Sequence, residues 1–502
     1  MSAPKTKYAN PGTDGSDASL SVHPDSAQTL AATGVVEIDS VVTEHGTLFT
    51  IDGDTIHANQ VAIAAKFSRD HQVRFDPELG EFLIYHPETG LWEATKEPAV
   101  KMLLARFIKT EAEKNQATDF LPKRTNAFLA AVLQILKGFT LPANKNSSMG
   151  AIHVGNGMLD LTQASPVLSG FNPEHWSRRM CAVAYRPEAK CPRFLDELLT
   201  PALVAEDIDL LQRIFGGVLL GENTAQRVAI ICGEAARGKS TVVTVGEEIV
   251  GLENVAHLRT DHLPGRFETH GFLNKSLLTA KDVPSNFLER SGAPMLKALV
   301  GDDLVEAEAK YGGKFRMRGR FNVVITTNNR LRLAIEEDAP AWRRRLLVLN
   351  FAGNQPKQRI ANFADLLLRE ESEGILAWMI EGAIKHLKEL DEIGDFRLSA
   401  AQQTRIDDLI DSSRSPEVFV RTAITKETGA VVTVEELTEG YLDFCAAKEW
   451  EPFTARQFEN VLTNLMQRIH RVLKRKDLRR GEKTLRGFKH VGLNPLPTNP
   501  PA

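Results

Sequence analysis

Four nearly unbroken apolar runs, rich in β-branched residues, stand out along the chain: RVAIICG at 227–233, NKSLLTAKDVP at 274–284, FNVVITTNN at 321–329 and LLVLNF at 346–351. Short runs without polar alternation predict strands covered on both faces, as in a parallel sheet between helices. The segments Ser240–Gly251, Pro192–Asn223 and Asn362–Leu390 instead return an apolar residue every three to four positions, which predicts helices with one buried face. Strand and helix signals alternate, and that alternation predicts an α/β fold.

The flanks read differently. Residues 1 to about 30 are rich in Ser, Gly, Asp, Pro and Thr without periodicity, and predict disorder. The stretch from about 33 to 55 alternates and predicts short strands. A helix is expected from His57 to His71, then a small meander over 72–95 with turns at Asp76–Gly80 and Pro87–Gly90. Helices follow over Glu97–Asn115 and Lys123–Gly138, and a strand–turn–strand unit around Asn156–Gly157. Beyond Ser415 two helical patterns, the second with Thr454 as N-cap, precede a strand–turn–strand around Arg480–Gly481. Helices followed by a hairpin predict a winged helix-turn-helix. The tail NPLPTNPPA is proline-rich and predicts disorder.

Composition narrows the classes. The chain has 502 residues, 42% hydrophobic and 25% charged, with a net charge of −4, as in an ordinary water-soluble protein. No apolar run reaches the ~20 residues that span a bilayer, and the first twenty residues lack a secretory apolar core, so a cytoplasmic location without membrane partners is expected. None of Cys181, Cys191, Cys232 and Cys445 forms a C-x-x-C pair, which argues against zinc and a disulfide framework. The acidic balance leaves nucleic-acid contact to local clusters. Over residues 454–490 eleven basic residues face three acidic ones, and Arg475, Lys476, Arg479 and Arg480 crowd the predicted wing. A second cluster, Lys310, Tyr311, Lys314 and Arg316, surrounds Gly312–Gly313, the predicted tip of a hairpin within 301–329.

The chemistry centres on GEAARGKST, that is Gly233, Glu234, Ala235, Ala236, Arg237, Gly238, Lys239, Ser240 and Thr241. It fits G-x-x-x-x-G-K-[ST] between a predicted strand and a predicted helix, the context of a phosphate-binding loop. Loop amides and the helix N-terminus would face the phosphates of ATP, Lys239 would reach the β- and γ-phosphates, and Ser240 would ligate Mg²⁺. Asp282 closes the next apolar run, where a carboxylate holds Mg²⁺ through water. Asn328 closes the third, where an amide can orient the attacking water. Arg343, Arg344 and Arg345 precede the fourth, and arginine is suited to neutralising transition-state charge. The first folded unit shows neither paired carboxylates with polymerase spacing nor a metal cluster.

In order and spacing, GEAARGKST, LLTAKDVP, LKALVGDDLVEAEAKY, FNVVITTNN and AWRRRLLVLNF resemble the superfamily 3 DNA helicases, specifically the phage and plasmid primase-helicase family related to the poxvirus replication helicase. HVGNGMLDL and GILAWMIEGA resemble family blocks outside the nucleotide site. The resemblance covers about residues 60–490. It implies an AAA+-like P-loop ATPase core with a mainly helical N-terminal domain and a C-terminal winged helix. It implies catalytic roles for Lys239, Asp282, Asn328, Arg344 and Arg345, the two arginines reaching a neighbouring subunit's nucleotide. Asp303, Glu308 and Lys310 match the family's GD…E-x-K block, which implies that Lys310 tracks DNA from a central-channel hairpin. The implied assembly is a homo-oligomeric ring, most often a hexamer, moving on single-stranded and forked DNA, with a separate primase or polymerase left open as partner.

Two departures stand out. Lys281–Asp282 replaces the paired acids of many relatives, so the usual general base is not visible; Asp282 serving both roles and help from Glu308 stay open. Only about sixty low-complexity residues precede the shared region, so a helicase without primase activity is expected. The expected segments are 1–55 low-complexity with short strands, 56–200 N-terminal domain, 201–355 ATPase core, 356–412 helical cover, 413–493 winged helix and 494–502 tail. Two other functions fit the same motifs: an ATP-switched origin-binding initiator or loader, and a DNA-sensing regulatory ATPase without processive unwinding.

Overall fold

The structure, a computed structural model, describes residues 40–77, 80–140, 150–259, 261–263, 265, 268–289, 291–308, 314–333, 339–353, 360–480 and 483–494. The predicted disorder at residues 1–30 and in the tail from Pro495, and the hairpin tip with Lys310, Tyr311 and Gly312–Gly313, lie outside the described residues.

The first unit has its own core. Helix α1 (Ser40–His45) precedes an antiparallel pair, β1 (Phe49–Asp52) and β2 (Thr55–Ala58). Residues 40–45 are thus helical where short strands were expected. Helix α2 (Gln60–Asp70) starts at Asn59, whose side chain accepts from the amides of Val61 and Ala62. A meander of β3 (Val73–Asp76), β4 (Glu81–His86) and β5 (Leu91–Thr95) follows, then α3 (Glu97–Lys114) and α4 (Asn126–Leu136). Leu48, Phe49 and Ile56 share one core with Ile63, Phe67, Phe82 and Leu104, so this unit takes in the hairpin ahead of residue 56. Beside its helices it carries a three-stranded sheet, because β-branched and aromatic residues at alternating positions of 73–95 pair.

The next antiparallel sheet, β6 (Ala151–Val154), β7 (Gly157–Asp160) and β8 (Val167–Ser169), does not share that core. Ile152, Val154 and Leu159 share a core with Ala229 and Ile231 of the central sheet and Ile375 of the long helix that covers it. The predicted helix over 192–223 is broken. A π-type turn at Phe194–Leu199 stops before Pro201, which lacks the N–H to continue it, and α5 (Ala205–Leu220) starts afresh.

The central sheet contains β9 (Val228–Cys232), β10 (Val255–His257), β11 (Leu277–Val283), β14 (Asn322–Thr327) and β15 (Leu346–Asn350). It is parallel throughout, in the order β10-β11-β14-β9-β15. Strand alternation explains the unbroken apolar runs. Ala229, Ile231, Val324, Leu347 and Leu349 face one core, with α5, α6 (Lys239–Val250) and α9 (Phe363–Ile393). Val228, Ile230, Val323, Ile325, Leu346 and Val348 face the other, with α7 (Ala293–Val300) and α10 (Ala400–Ser413), while α8 (Ala339–Arg343) buries Trp342 there. Helix α5 makes its main contact with α9 rather than with the sheet. Between α7 and β14, β12 (Leu304–Glu308) and β13 (Lys314–Arg318) form a separate antiparallel pair in the register Leu304↔Arg318 to Glu308↔Lys314.

The last unit runs α11 (Ser415–Thr422), β16 (Ile424–Thr433), α12 (Val434–Ala447), α13 (Ala455–His470), β17 (Arg475–Arg480) and β18 (Lys483–Leu493), with the sheet ordered β16-β18-β17. Strand β16 has no counterpart in the sequence reading. Capping boxes fix both long helices: Thr433 with Glu436, and Thr454 with Gln457.

Candidate functional site

The register of the parallel sheet aligns its carboxyl ends. Cys232 lies beside both Thr327 and Asn350, and Thr327 beside Val283. The segments leaving β9, β11 and β14 therefore emerge at one edge, where open α/β sheets place their ligands. Backbone conformation then sets the loop. Gly233 has φ of 146°, Ala236 of 61° and Gly238 of 90°, all in the left-handed range. A Cβ on Gly233 would lie 2.5 Å from the Phe351 carbonyl oxygen, and one on Gly238 2.7 Å from Leu198 Cδ1. Gly233 is required on space as well as on φ, because the contact is with backbone, and Gly238 on φ. Helix α6 begins at Lys239 without a side-chain cap, so its first amides face the loop. Glu234 and Arg237 pair at 2.6 Å across the loop.

Lys239 is 3% exposed, and its ammonium group donates to Gly233 O at 2.8 Å, Glu234 O at 2.7 Å and Asn328 Oδ1 at 2.8 Å. Those three acceptors match its three N–H bonds. Burial pulls the Lys239 ammonium below its ordinary pKa, against the opposing pull of the Asp282 carboxylate. Asn328 remains exposed while holding this contact.

Asp282 sits at a break in strand register between Ala280 and Val283, with φ of 50°. Its amide donates to Thr326 Oγ1 at 2.9 Å, and the Ser240 hydroxyl donates to its carboxylate at 3.3 Å. The bulge directs two successive side chains toward α6, which a regular strand cannot do. Lys281 reaches Glu247 at 2.6 Å and Thr244 Oγ1 at 2.9 Å, while Asp282 reaches Ser240. Glu247 is 4% exposed and also accepts from Thr279 Oγ1 at 2.7 Å. The lysine at the paired-acid position thus neutralises a buried helix carboxylate. Ser240 Oγ and Asp282 Oδ2 form a pair of hard oxygen donors that suits Mg²⁺. Among the described residues no cluster of three or more His, Cys, Asp or Glu could hold a metal.

Lys239, Ser240, Asp282 and Asn328 therefore converge. The arginines do not join them. Arg344 and Arg345 precede β15, whose first residue Leu346 pairs with Val228 at the opposite end of β9. Five strand residues place them roughly 16 Å from the loop edge. Arg344 is exposed, and Arg343 pairs with Asp407 at 2.6 Å. Arg345 is 7% exposed, donates to Ala341 O at 3.0 Å and packs against Gly301. Within its own chain Arg345 is thus turned inward, toward Ala341 and Gly301.

Among the basic residues, Lys314 begins β13, and Arg316 faces Glu306 across the hairpin at 3.4 Å. Arg475 pairs with Asp477 at 3.0 Å, Lys476 is exposed, and Arg479 and Arg480 end β17. One connection escaped the sequence reading. Two residues beyond Asn328, Arg330 pairs with Asp408, which also accepts from Trp450 Nε1 at 2.7 Å. Arg332 pairs with Glu451 at 3.1 Å and lies over the Phe453 ring at 5.4 Å. The segment after β14 thus touches the turn that enters α13; its only sequence signal is a pair of arginines spaced by one residue.

Comparisons with known proteins bear on two regions. Residues 61–201 match the family model described as D5 N terminal like, and residues 231–345 match one described as a family of unknown function, DUF5906. No curated protein matches the chain. An A-form apo structure of the NrS-1 C terminal region aligns with 85% of this chain and 98% of its own, at 12% identity and a TM-score of 0.45. A second apo structure of that region aligns with 86% of this chain and 99% of its own, at 11% identity and a TM-score of 0.46. Among the described residues no helix is long and apolar enough to cross a membrane.

Proposed function

We propose that the chain is an ATP-dependent replicative DNA helicase of a phage, prophage or plasmid-like element that works as a homo-oligomeric ring. The observation that carries this reading is the convergence of Lys239, Ser240, Asp282 and Asn328 on one edge of a parallel sheet. The D5 N terminal like match over residues 61–201 supports the phage and viral primase-helicase context.

In this reading the central unit is an AAA+-like P-loop ATPase. Lys239 exchanges its contacts with the Gly233 and Glu234 carbonyls for β- and γ-phosphate oxygens of ATP. Ser240 and Asp282 would hold Mg²⁺, which supplies charge neutralisation on those phosphates. Asn328, released from Lys239, orients the attacking water. Lys281 is committed to Glu247, so Asp282 is the carboxylate that the second strand brings to the water. Arg344, exposed at the far end of β15, is the arginine available to a neighbouring subunit's nucleotide. The β12–β13 hairpin, with Lys310, Tyr311, Lys314 and Arg316, faces DNA in the ring. The last unit is a winged helix: α13 reads as its recognition helix and β17–β18 as its wing, with Arg475, Lys476, Arg479 and Arg480 toward forked DNA.

Electron microscopy of the protein with an ATP analogue and forked DNA tests the assembly. The expected image is a closed ring around one strand, with Arg344 of each subunit at the next subunit's loop. Monomers on DNA at saturating nucleotide would overturn it.

A further inference from the structure

A cavity of about 880 Å³ opens on the side of the sheet away from the phosphate loop, between residues 151–181 and the segments entering β11 and β14. Its volume lies in the range of roughly 300–1,000 Å³ typical of ligand clefts. Among the described residues Arg178, Arg179, Lys275, Arg318 and Arg320 line it against three carboxylates, Asp160, Glu174 and Glu222. Three of those cations already have acidic partners. Arg178 pairs with Asp76 at 3.4 Å, Arg318 with Asp302 at 3.3 Å, and Arg320 with Asp302 at 2.7 Å and Glu222 at 2.8 Å.

Arg179 differs. Among the described residues its side chain makes one hydrogen bond, at 3.5 Å to the Lys275 carbonyl oxygen, and no ion pair. Burial depresses its pKa, with Glu222 opposing from a distance. A guanidinium in a polar cavity with no carboxylate in ion-pair contact has unused donors in a fixed plane, the arrangement that binds phosphate. Trp176 lines the same cavity, stacked on Trp92 with ring centroids 4.6 Å apart. Met317 and Arg318 of β13 form another wall, so the cavity begins at the base of the hairpin.

We infer that this cavity is a second single-stranded DNA site, in which Arg179 and Lys275 hold backbone phosphates and Trp176 lies beside a base. The site would receive the strand that leaves the base of β13, and the inference rests on the DNA-tracking role proposed above. A passive anchor so placed holds the strand between successive hairpin movements.

The test uses the whole 502-residue chain, an ATP analogue and an oligothymidine carrying 5-iodouracil. Irradiation is expected to cross-link the tryptic peptide that contains Trp176. Arg179→Gln is expected to weaken binding of the same oligonucleotide about tenfold, as loss of a charge-assisted contact does. The slope of log affinity against log salt should flatten by about one unit. If Arg179→Gln melts early, Lys275→Gln at the half-buried Lys275 supplies the same comparison. DNA binding by the unaltered protein with no cross-link at Trp176 and no affinity loss in either variant overturns the cavity site while leaving the helicase reading intact. Absence of DNA binding by the unaltered protein overturns both. Equal cross-linking by 5-iodo-deoxyuridine monophosphate alone overturns the strand reading in favour of a mononucleotide.

Discussion

Lys239 Nζ donates to Asn328 Oδ1 at 2.8 Å, across 89 residues of chain and two neighbouring strands. The contact ties the loop lysine to the tip of β14 and leaves the Asn328 amide within reach of whatever displaces the lysine. In the proposed cycle, ATP binding breaks it.

Asn328→Ala therefore separates binding from hydrolysis. A positioned polar group of this kind contributes roughly a hundredfold in kcat when it acts only in the transition state. The expected outcome is an ATPase kcat lowered by about that factor, with affinity for a fluorescent ATP analogue unchanged within a few-fold. Equal losses in kcat and affinity would assign Asn328 to ground-state binding instead.

Asp282 combines the carboxylate of the proposed metal site with left-handed backbone. Asn tolerates that conformation nearly as well as Asp, so Asp282→Asn keeps the bulge and removes the charge. Its melting temperature should match that of the unaltered protein, while magnesium no longer tightens nucleotide binding. Asp282→Val should lower stability by roughly 1–2 kcal/mol, since a β-branched side chain resists positive φ. Thermal melts and nucleotide titrations with and without Mg²⁺ check both. Intact magnesium dependence in Asp282→Asn would remove Asp282 from the metal site.

A pH effect arises far from the loop. His386 is 3% exposed and stacks on Phe396 at 4.1 Å. Its Nδ1 has no hydrogen-bond partner among the described residues. Burial, aided by the nearby Arg213 charge, lowers its pKa from 6.5 to about 4. The unfolded chain takes up a proton near pH 6.5 while the folded chain does not, so stability falls as pH drops through that window. The total approaches roughly 3 kcal/mol, at 1.36 kcal/mol per unit. His386→Phe should flatten the denaturation midpoint between pH 6.5 and 4. A slope identical to that of the unaltered protein would place the titration elsewhere.

In the proposed function, the contacts after Asn328 couple DNA to ATP. Arg332 joins the segment following β14 to Glu451 and Phe453, immediately before the helix N-cap Thr454. Arg332→Ala should lower DNA-stimulated ATPase several-fold and leave the basal rate in place. Coupled ATPase assays with and without forked DNA decide it. Full stimulation in the variant would mean that the proposed coupling between the last unit and the ATPase runs by another route.

The sequence made the centre of the site readable and its periphery much less so. Gly233, Gly238, Lys239 and Ser240 were legible because a loop with fixed positive-φ positions admits few residues. Apolar runs revealed the parallel strands, and strand ends revealed Asp282 and Asn328. The register break at Ala280–Val283 was not legible, and with it the turning of Lys281 onto Glu247. Arg344 and Arg345 look alike in sequence, yet one is exposed and the other buried. That difference depends on how α8 meets β15, which no local pattern encodes. Strand β16 escaped because Lys426, Glu427, Thr428 and Gly429 interrupt its alternation, and its pairing with β18 is remote in the chain.

The most direct measurement is strand displacement from a forked DNA by purified protein, with ATP and Mg²⁺ and no other helicase, for the unaltered chain beside Lys239→Ala. The expected result is ATP-dependent displacement by the unaltered protein and neither displacement nor ATP binding by Lys239→Ala. Unwinding that persists in Lys239→Ala, or an unaltered protein that hydrolyses ATP on DNA without separating the strands, would contradict it.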